Sequence, residues 1–274
     1  MQLLFGTGGT PHSAKAPSTI AGIERIAELG LGCMELEFVQ GVRMGKETAL
    51  QVAEVAKKLK IKLTAHAPYF INLNSAEIDK VKASQYRIIQ TARIAALCGA
   101  ESIVFHAAFY GGEPASKVYN TVKQNLSEVL AQLAQEKNQV WIRPEVLGKG
   151  TQFGTIEEVI NLSAELERVL PVIDFSHWHA RTGKFNTYDE FASILEQIKA
   201  KLGRKALDNM HMHISGIKYG LKGELKHLNL TDSDLNYPDL MKALKDYGVG
   251  GFAICESPNL EEDALLLRKT YNSL

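Results

Sequence analysis

Eight times along the chain a short apolar run is followed by a longer stretch with helical periodicity. The runs are residues 3–6, 33–38, 61–65, 102–105, 140–145, 171–175, 210–214 and 252–255. The helical stretches are 17–29, 46–59, 77–97, 115–135, 155–167, 187–202, 237–246 and 260–271. Continuous rather than alternating apolar runs predict strands buried on both faces, hence a parallel sheet. The helical stretches carry apolar residues three and four apart, as at Val122, Leu126, Val129, Leu130 and Leu133, the stripe that packs a helix onto a sheet. Ser18 and Thr155 stand where helix caps are expected. Gly30, Gly32 and Gly99 fall between a helix and the next strand, where a C-cap needs positive φ. Eight β–α units of the α/β class close most naturally into a (β/α)8 barrel, and one domain spanning 1–274 has an ordinary length for it. An open, doubly wound sheet is the alternative, but no GxGxxG opens a helix after the first run.

Composition narrows the setting. Hydrophobic residues make up 45% and charged residues 23%, the balance of a soluble globular enzyme. With 31 basic and 31 acidic residues the formal charge is zero, so bulk charge gives no sign of nucleic-acid binding. It does not exclude such binding, because bound metal ions would add local positive charge. Cys33, Cys98 and Cys255 are odd in number, widely spaced and set among apolar residues, which predicts buried, reduced thiols in a cytoplasmic protein. The first residues lack the basic segment and cleavage site of a signal peptide. No run approaches the roughly 18 apolar residues of a membrane span.

The ends of the runs carry the chemistry. Five finish on a histidine or a carboxylate: His66, His106, Glu145, Asp174 and Glu256; a sixth finishes less cleanly on His213. In a barrel all C-terminal strand ends open on one face, where active sites lie. Nitrogen and oxygen ligands of this kind suit zinc or manganese. Any one of these histidines is more often a hydrogen-bonded structural group than a ligand; it is their coincidence on one face that predicts a site. Glu145 has an alternative as the partner of Arg143, which alternation places on the same side of its strand. His177 follows Asp174 by three residues and predicts a ligand in the same cavity, with His179 beside it as a supporting or structural group. His211 reads as an interior group beneath His213. Glu224 and His227 lie in the long segment 216–238, and a connection of that length in a compact barrel is usually functional; plain surface charge is the alternative for Glu224. One catalytic zinc takes three protein ligands. This many candidates predicts two or three ions sharing carboxylates, an arrangement suited to phosphodiester cleavage.

Six segments, 64–73, 104–106, 144–152, 173–177, 212–214 and 254–258, contain His66-Ala-Pro-Tyr69, Val104-Phe-His106, Pro144-Glu145, Asp174-Phe-Ser-His177, Met212-His213 and Cys255-Glu256. In that order, across nearly the whole chain, they resemble the endonuclease IV group (deoxyribonuclease IV, AP endonuclease family 2), metalloenzymes on a single TIM barrel of the xylose-isomerase-like superfamily. The resemblance implies a metal cluster of two or three Zn2+ at the C-terminal face, with Mn2+ as the other candidate. His66 and His106 would hold the first ion and Glu145 would bridge to the second, which Asp174, His213 and Glu256 complete. His177 and His227 would hold the third. The family has an aspartate two residues before that last histidine, whereas this chain has Leu225, and Glu224 is the candidate replacement. The implied reaction is hydrolysis of the phosphodiester 5′ to an abasic site in double-stranded DNA, by a monomer, with Glu145 and Glu256 as catalytic carboxylates. Tyr69 matches the family's tyrosine that enters the DNA at the lesion. Arg43 stands in the loop where the family has an inserting arginine. Lys149, and Lys218, Lys222 and Lys226 in the long segment, are candidate phosphate contacts, or else solvated lysines.

Two other readings compete. A single-metal sugar isomerase or epimerase of the same superfamily would use Glu145, Asp174, His213 and Glu256 alone, leaving His66, His106 and His177 without a purpose. A non-catalytic binding protein on a degenerate barrel would not need so nearly intact a ligand set.

Overall fold

The apolar runs form strands, and the amphipathic stretches pack around them as helices. A computed structural model describes residues 2–274. Its first half contains β1 (Leu3–Gly8), α1 (Thr19–Glu28), β2 (Cys33–Glu37), α2 (Lys46–Leu59), β3 (Lys62–His66), α3 (Ile78–Leu97), β4 (Ser102–Phe105), β5 (Ala108–Phe109) and α4 (Ala115–Gln135). There follow β6 (Trp141–Pro144), β7 (Gln152–Phe153), α5 (Ile156–Glu165), β8 (Val172–Asp174), α6 (Phe175–Thr182), α7 (Tyr188–Leu202) and α8 (Arg204–Leu207). The chain finishes with β9 (Met210–Ile214), β10 (Gly216–Gly220), β11 (Gly223–Leu228), α9 (Tyr237–Asp246), β12 (Gly251–Cys255) and α10 (Glu261–Ser273).

Eight strands form one sheet in the order β6-β4-β3-β2-β1-β12-β9-β8, with every pair parallel. Parallel bridges Ile142–Val169 and Glu145–Val172 join the two outer strands, so the sheet closes into a (β/α)8 TIM barrel. The short antiparallel pairs β5–β7 and β10–β11 stand outside it. Each follows the C-terminal end of a barrel strand, so the loops at that face carry the added structure. No helix among the described residues is long and apolar enough to cross a membrane.

The caps have physical causes. The Ser18 hydroxyl accepts from Ala21 N at 3.2 Å, and Thr155 forms a reciprocal box with Glu158. Gly30 and Gly99 take φ of +68° and +72°, as C-caps require. Gly32 does not adopt positive φ, contrary to expectation. It is small because a Cβ there would lie 2.9 Å from Leu4 Cδ2.

Alternation along the strands divides the apolar residues in two. Most face the helices and form the main core. A second small cluster of Cys33, Phe252 and Ile254, with Leu4 against it, sits apart. The Phe252 ring lies 5.7 Å from that of His211, which marks this cluster as part of the lumen. Barrel lumens are usually filled by branched aliphatic residues. This one also holds Glu35, Thr64, Ser102, Arg143 and His211, none more than 1% exposed. A buried polar group without a partner costs about 1–3 kcal/mol, so a polar lumen persists only where its groups are paired or occupied by a ligand.

Candidate metal centre

At the C-terminal ends of the barrel strands a cavity of about 340 Å³ is walled by His66, His106, Glu145, His177, Glu224 and His227, with Tyr69, Lys149 and Glu256 completing its rim. Glu145 lies at its floor and is 1% exposed. Its backbone N donates to Phe105 O across the strand pair, which fixes where the carboxylate emerges. The two carboxylate oxygens face different neighbours. Oε2 is 3.0 Å from His106 Nε2 and 3.4 Å from His66 Nε2. Oε1 is 3.1 Å from His213 Nδ1 and 3.3 Å from His177 Nδ1.

Backbone contacts orient the imidazoles. His66 Nδ1 lies 2.7 Å from Ala67 O, which turns Nε2 toward Glu145. His227 Nδ1 lies 3.1 Å from Glu256 O, which turns its Nε2 to within 3.2 Å of His177 Nε2. Fixing one ring nitrogen in this way sets the tautomer presented by the other. Asp174 ends β8 and caps α6, its Oδ1 accepting from His177 N at 2.7 Å. Its Oδ2 is buried and completes no hydrogen bond. His213 Nδ1 is also 3.4 Å from Glu256 Oε1.

Three sets of ligand atoms converge within 4.8 Å of one another: His66, His106 and Glu145; Glu145, Asp174, His213 and Glu256; and His177, Glu224 and His227. Glu145 is common to the first two. The donors are imidazole nitrogens and carboxylate oxygens, the chemistry of divalent zinc sites, and the buried Asp174 Oδ2 has only the misdirected contact with His177 Nδ1 at 3.0 Å. The residues present therefore fit a divalent ion at each set.

Glu224 reaches its set because β11 carries a bulge. In the β10–β11 pair His227 opposes Ile217, Lys226 opposes Lys218, and Glu224 opposes Tyr219, leaving Leu225 as the extra residue. A bulge shifts the alternation by one. Glu224 thereby takes the face that a residue two before His227 would otherwise hold, and Leu225 is left 61% exposed. Glu224 Oε2 lies 3.7 Å from His177 Nε2.

The electrostatics suit cations. Burial opposes ionisation of Glu145, but His106 and His213 outweigh it and hold its carboxyl well below the usual range. Burial alone would lower His66, yet its bond to Glu145 and the nearby Glu37 charge raise it to about 9. Burial likewise works against the charged forms of His177 and His213. Asp174 and Glu145 outweigh it at His177, and Glu256, Glu35 and Glu145 at His213, so both are raised. The pit is thus a concentration of carboxylate charge neutralised by protons on imidazole, and a divalent ion competes for those same nitrogens.

The other expected groups divide between the pit and its surroundings. Arg143 does not pair with Glu145; it reaches Asn209 and Pro171 O instead. His179 lies against Lys184 O and Asp234 Oδ1, away from the pit. Tyr69 is half-exposed at the rim, stacked on His106 with ring centres 5.1 Å apart. Lys149 lines the pit, whereas Arg43 lines a neighbouring groove with Phe70 and Arg87. Lys218, Lys222 and Lys226 are exposed on the hairpin. Two acidic residues escaped the sequence reading. Glu35 is buried in the lumen; Glu37 stands near Glu256, its Oε1 3.5 Å and the Glu256 Cγ 3.3 Å from where a Cβ on Gly8 would lie. The signal was present as two carboxylates at alternate positions of an otherwise apolar run, 33–38.

Comparison with known proteins sets these features in a family. An uncharacterized protein of Methanocaldococcus jannaschii is 45% identical over 275 residues, covering 100% of this chain and 98% of that protein. A probable endonuclease 4 of Mycoplasma pneumoniae is 31% identical over 191 residues, covering 66% of this chain and 62% of that protein. Among solved structures, endonuclease IV from Thermus thermophilus superposes with a TM-score of 0.73 at 18% identity, over 98% of each chain. A D-tagatose 3-epimerase-like protein superposes with a TM-score of 0.74 at 17% identity, over 100% of this chain and 96% of the other. At these identities the two structures establish the fold alone. Residues 23–271 match the xylose isomerase-like TIM barrel family, and the chain belongs to that family.

Proposed function

We propose that the protein is a zinc-dependent endonuclease that hydrolyses the phosphodiester 5′ to abasic sites in double-stranded DNA. The observation that carries this reading is the divided environment of Glu145: one oxygen faces His66 and His106, and the other faces His213. A carboxylate so placed suits a bridge between two ions. The further set of His177, Glu224 and His227 suits a third. The relatives named endonuclease 4 support the same reading.

When bound, the ions would supply Lewis-acid activation of water and charge neutralisation at the phosphate. The protein's own groups do the rest. Glu145, held ionised, accepts a proton from the attacking water and orients it. Glu256 lines the pit and with Glu145 fixes His213 Nδ1 between two carboxylates. Tyr69 presents a half-exposed ring beside the pit, where it fills the space of a missing base. A baseless nucleotide leaves the stack most easily, because nothing pairs or stacks with it. Lys149 and the hairpin lysines bind backbone phosphate.

The fold neighbours favour one competing reading, a single-metal sugar epimerase using Glu145, Asp174, His213 and Glu256. His66, His106, His177 and His227 converge on the same pit, and one ion does not need them. The deciding experiment is incision of a duplex carrying one abasic site, with and without chelator, alongside metal analysis. Chelator-sensitive incision with two or more zinc per chain is expected. One manganese or magnesium per chain, with ketose epimerisation and no incision, would replace this reading with the epimerase.

A further inference from the structure

Below the pit, inside the barrel, Glu35 of β2 faces His211 and His213 of β9. All three are 0% exposed. Glu35 Oε1 lies 2.9 Å from His213 Nε2, and Oε2 lies 3.1 Å from His211 Nε2. Those separations are hydrogen-bond lengths, but the directions are not: Glu35 Oε1, His211 Nε2 and His213 Nε2 each complete no hydrogen bond. On the outer sides of the two rings, His211 Nδ1 meets Ser102 Oγ at 3.2 Å, and His213 Nδ1 meets Glu145 Oε1 at 3.1 Å. Of the four atoms that face one another, Glu35 Oε2 alone has a hydrogen bond, from Thr64 Oγ1 at 2.7 Å; the other three complete none.

Ligands bound about 2.0–2.2 Å from a zinc ion, at right to tetrahedral angles, lie roughly 2.8–3.6 Å apart. The two carboxylate–imidazole separations, 2.9 and 3.1 Å, fall in that range, and one ligand atom from each of the three residues lies within 4.8 Å of the others. We propose that Glu35, His211 and His213 hold a further divalent cation of the zinc class inside the barrel, joined to the pit through the His213 imidazole. Two imidazoles and one carboxylate select a borderline ion such as zinc over magnesium or calcium, which take oxygen ligands. His213 would present Nε2 to the ion while Nδ1 still faces Glu145, and the Nε2 proton of its imidazolium passes to solvent as the ion binds. The Glu35 carboxylate then offsets one of the ion's two charges, and the imidazolium charge leaves with its proton. Neither Glu35 nor His211 lines the pit, so this site does not depend on the reaction assigned there. With its ligands wholly buried, the ion exchanges only when the barrel opens.

The test is anomalous diffraction at the zinc edge on crystals of zinc-reconstituted protein passed through chelating resin. A peak about 2.0–2.2 Å from Glu35, His211 Nε2 and His213 Nε2 is expected; absence of a peak there overturns the proposal, whatever the pit contains. Metal analysis gives a second reading. His211→Leu is expected to lower bound zinc by one equivalent per chain, and an unchanged count overturns the proposal. Should His211→Leu fail to fold, the wild-type diffraction decides alone. Protein that shows the buried peak but no incision would retire the nuclease reading and leave this one standing.

Discussion

Gly148 and Glu224 lie so close that a Cβ on Gly148 would come within 2.7 Å of Glu224 Cβ and 3.2 Å of His177 Cδ2. The backbone agrees: Glu224 N donates to Gly148 O at 3.0 Å, and Lys149 bridges to Gly223. The hairpin is thus clamped onto the loop after β6 through a position that has no room for a side chain. Gly148→Ala should push Glu224 away from His177 and His227. Loss of about one metal equivalent and a destabilisation of about 1–3 kcal/mol are expected, measured by metal analysis and thermal melting. A full metal complement at an unchanged melting temperature would show that the clamp does not position Glu224.

Glu145→Gln tests the bridge. Glutamine keeps the shape but loses the charge that holds two sets of imidazoles together, and it accepts no proton from water. Incision should fall by about a thousandfold, within the range for loss of a general base. Affinity for abasic duplex, measured by anisotropy, should change only a few-fold, because Tyr69 and the lysines are untouched. Turnover like the wild type's would remove Glu145 from the mechanism.

The pH dependence follows from His66. Its folded value of about 9 lies above the ordinary 6.5, because Glu145 and Glu37 outweigh burial. The folded, metal-free protein therefore holds this proton more tightly than the unfolded chain does. The stability it contributes is full below pH 6.5 and is lost as pH rises through 9. His177 and His213, also raised, act in the same direction. Metal binding takes these nitrogens instead, so it releases protons and strengthens as pH rises. Melting temperatures at pH 6, 7.5 and 9 should fall for chelated protein, and the gap to zinc-loaded protein should widen. A flat profile for the chelated protein would contradict the charge distribution described above.

How much of this could be read from the sequence depended on whether the information was local. The βα repeat was legible because burial on both faces makes parallel strands uniformly apolar, and α2, α4 and α9 begin and end where periodicity places them. The strand-end residues were legible because barrel topology alone brings C-terminal ends together. Three features were not. The position of Glu224 depends on the β11 bulge, and nothing in Glu224-Leu-Lys-His227 announces that Leu225 will be squeezed out of register. Arg143 could be placed on the same side as Glu145, but alternation does not say which end of the lumen a long side chain will seek. Glu35 was passed over because a carboxylate within a strand, rather than at its end, has meaning only once His211 and His213 are known to stand opposite.

Under the proposed nuclease reading, the lysines set the salt dependence of DNA binding. The chain carries no net charge, so affinity has to come from a few local contacts. Lys149 at the pit and the exposed Lys218, Lys222 and Lys226 on the hairpin are the cations positioned to make them. Four phosphate contacts give a slope of log K against log salt of about −3 to −4, or roughly a hundredfold weakening between 50 and 200 mM salt. Replacing Lys218, Lys222 and Lys226 with glutamine should reduce the slope by about one for each lysine removed, while the rate of incision at saturating DNA stays near that of the wild type. A titration series on abasic duplex measures both. A slope near −9 or steeper would mean ten or more contacts, and would place the DNA on a surface far wider than the pit and its hairpin.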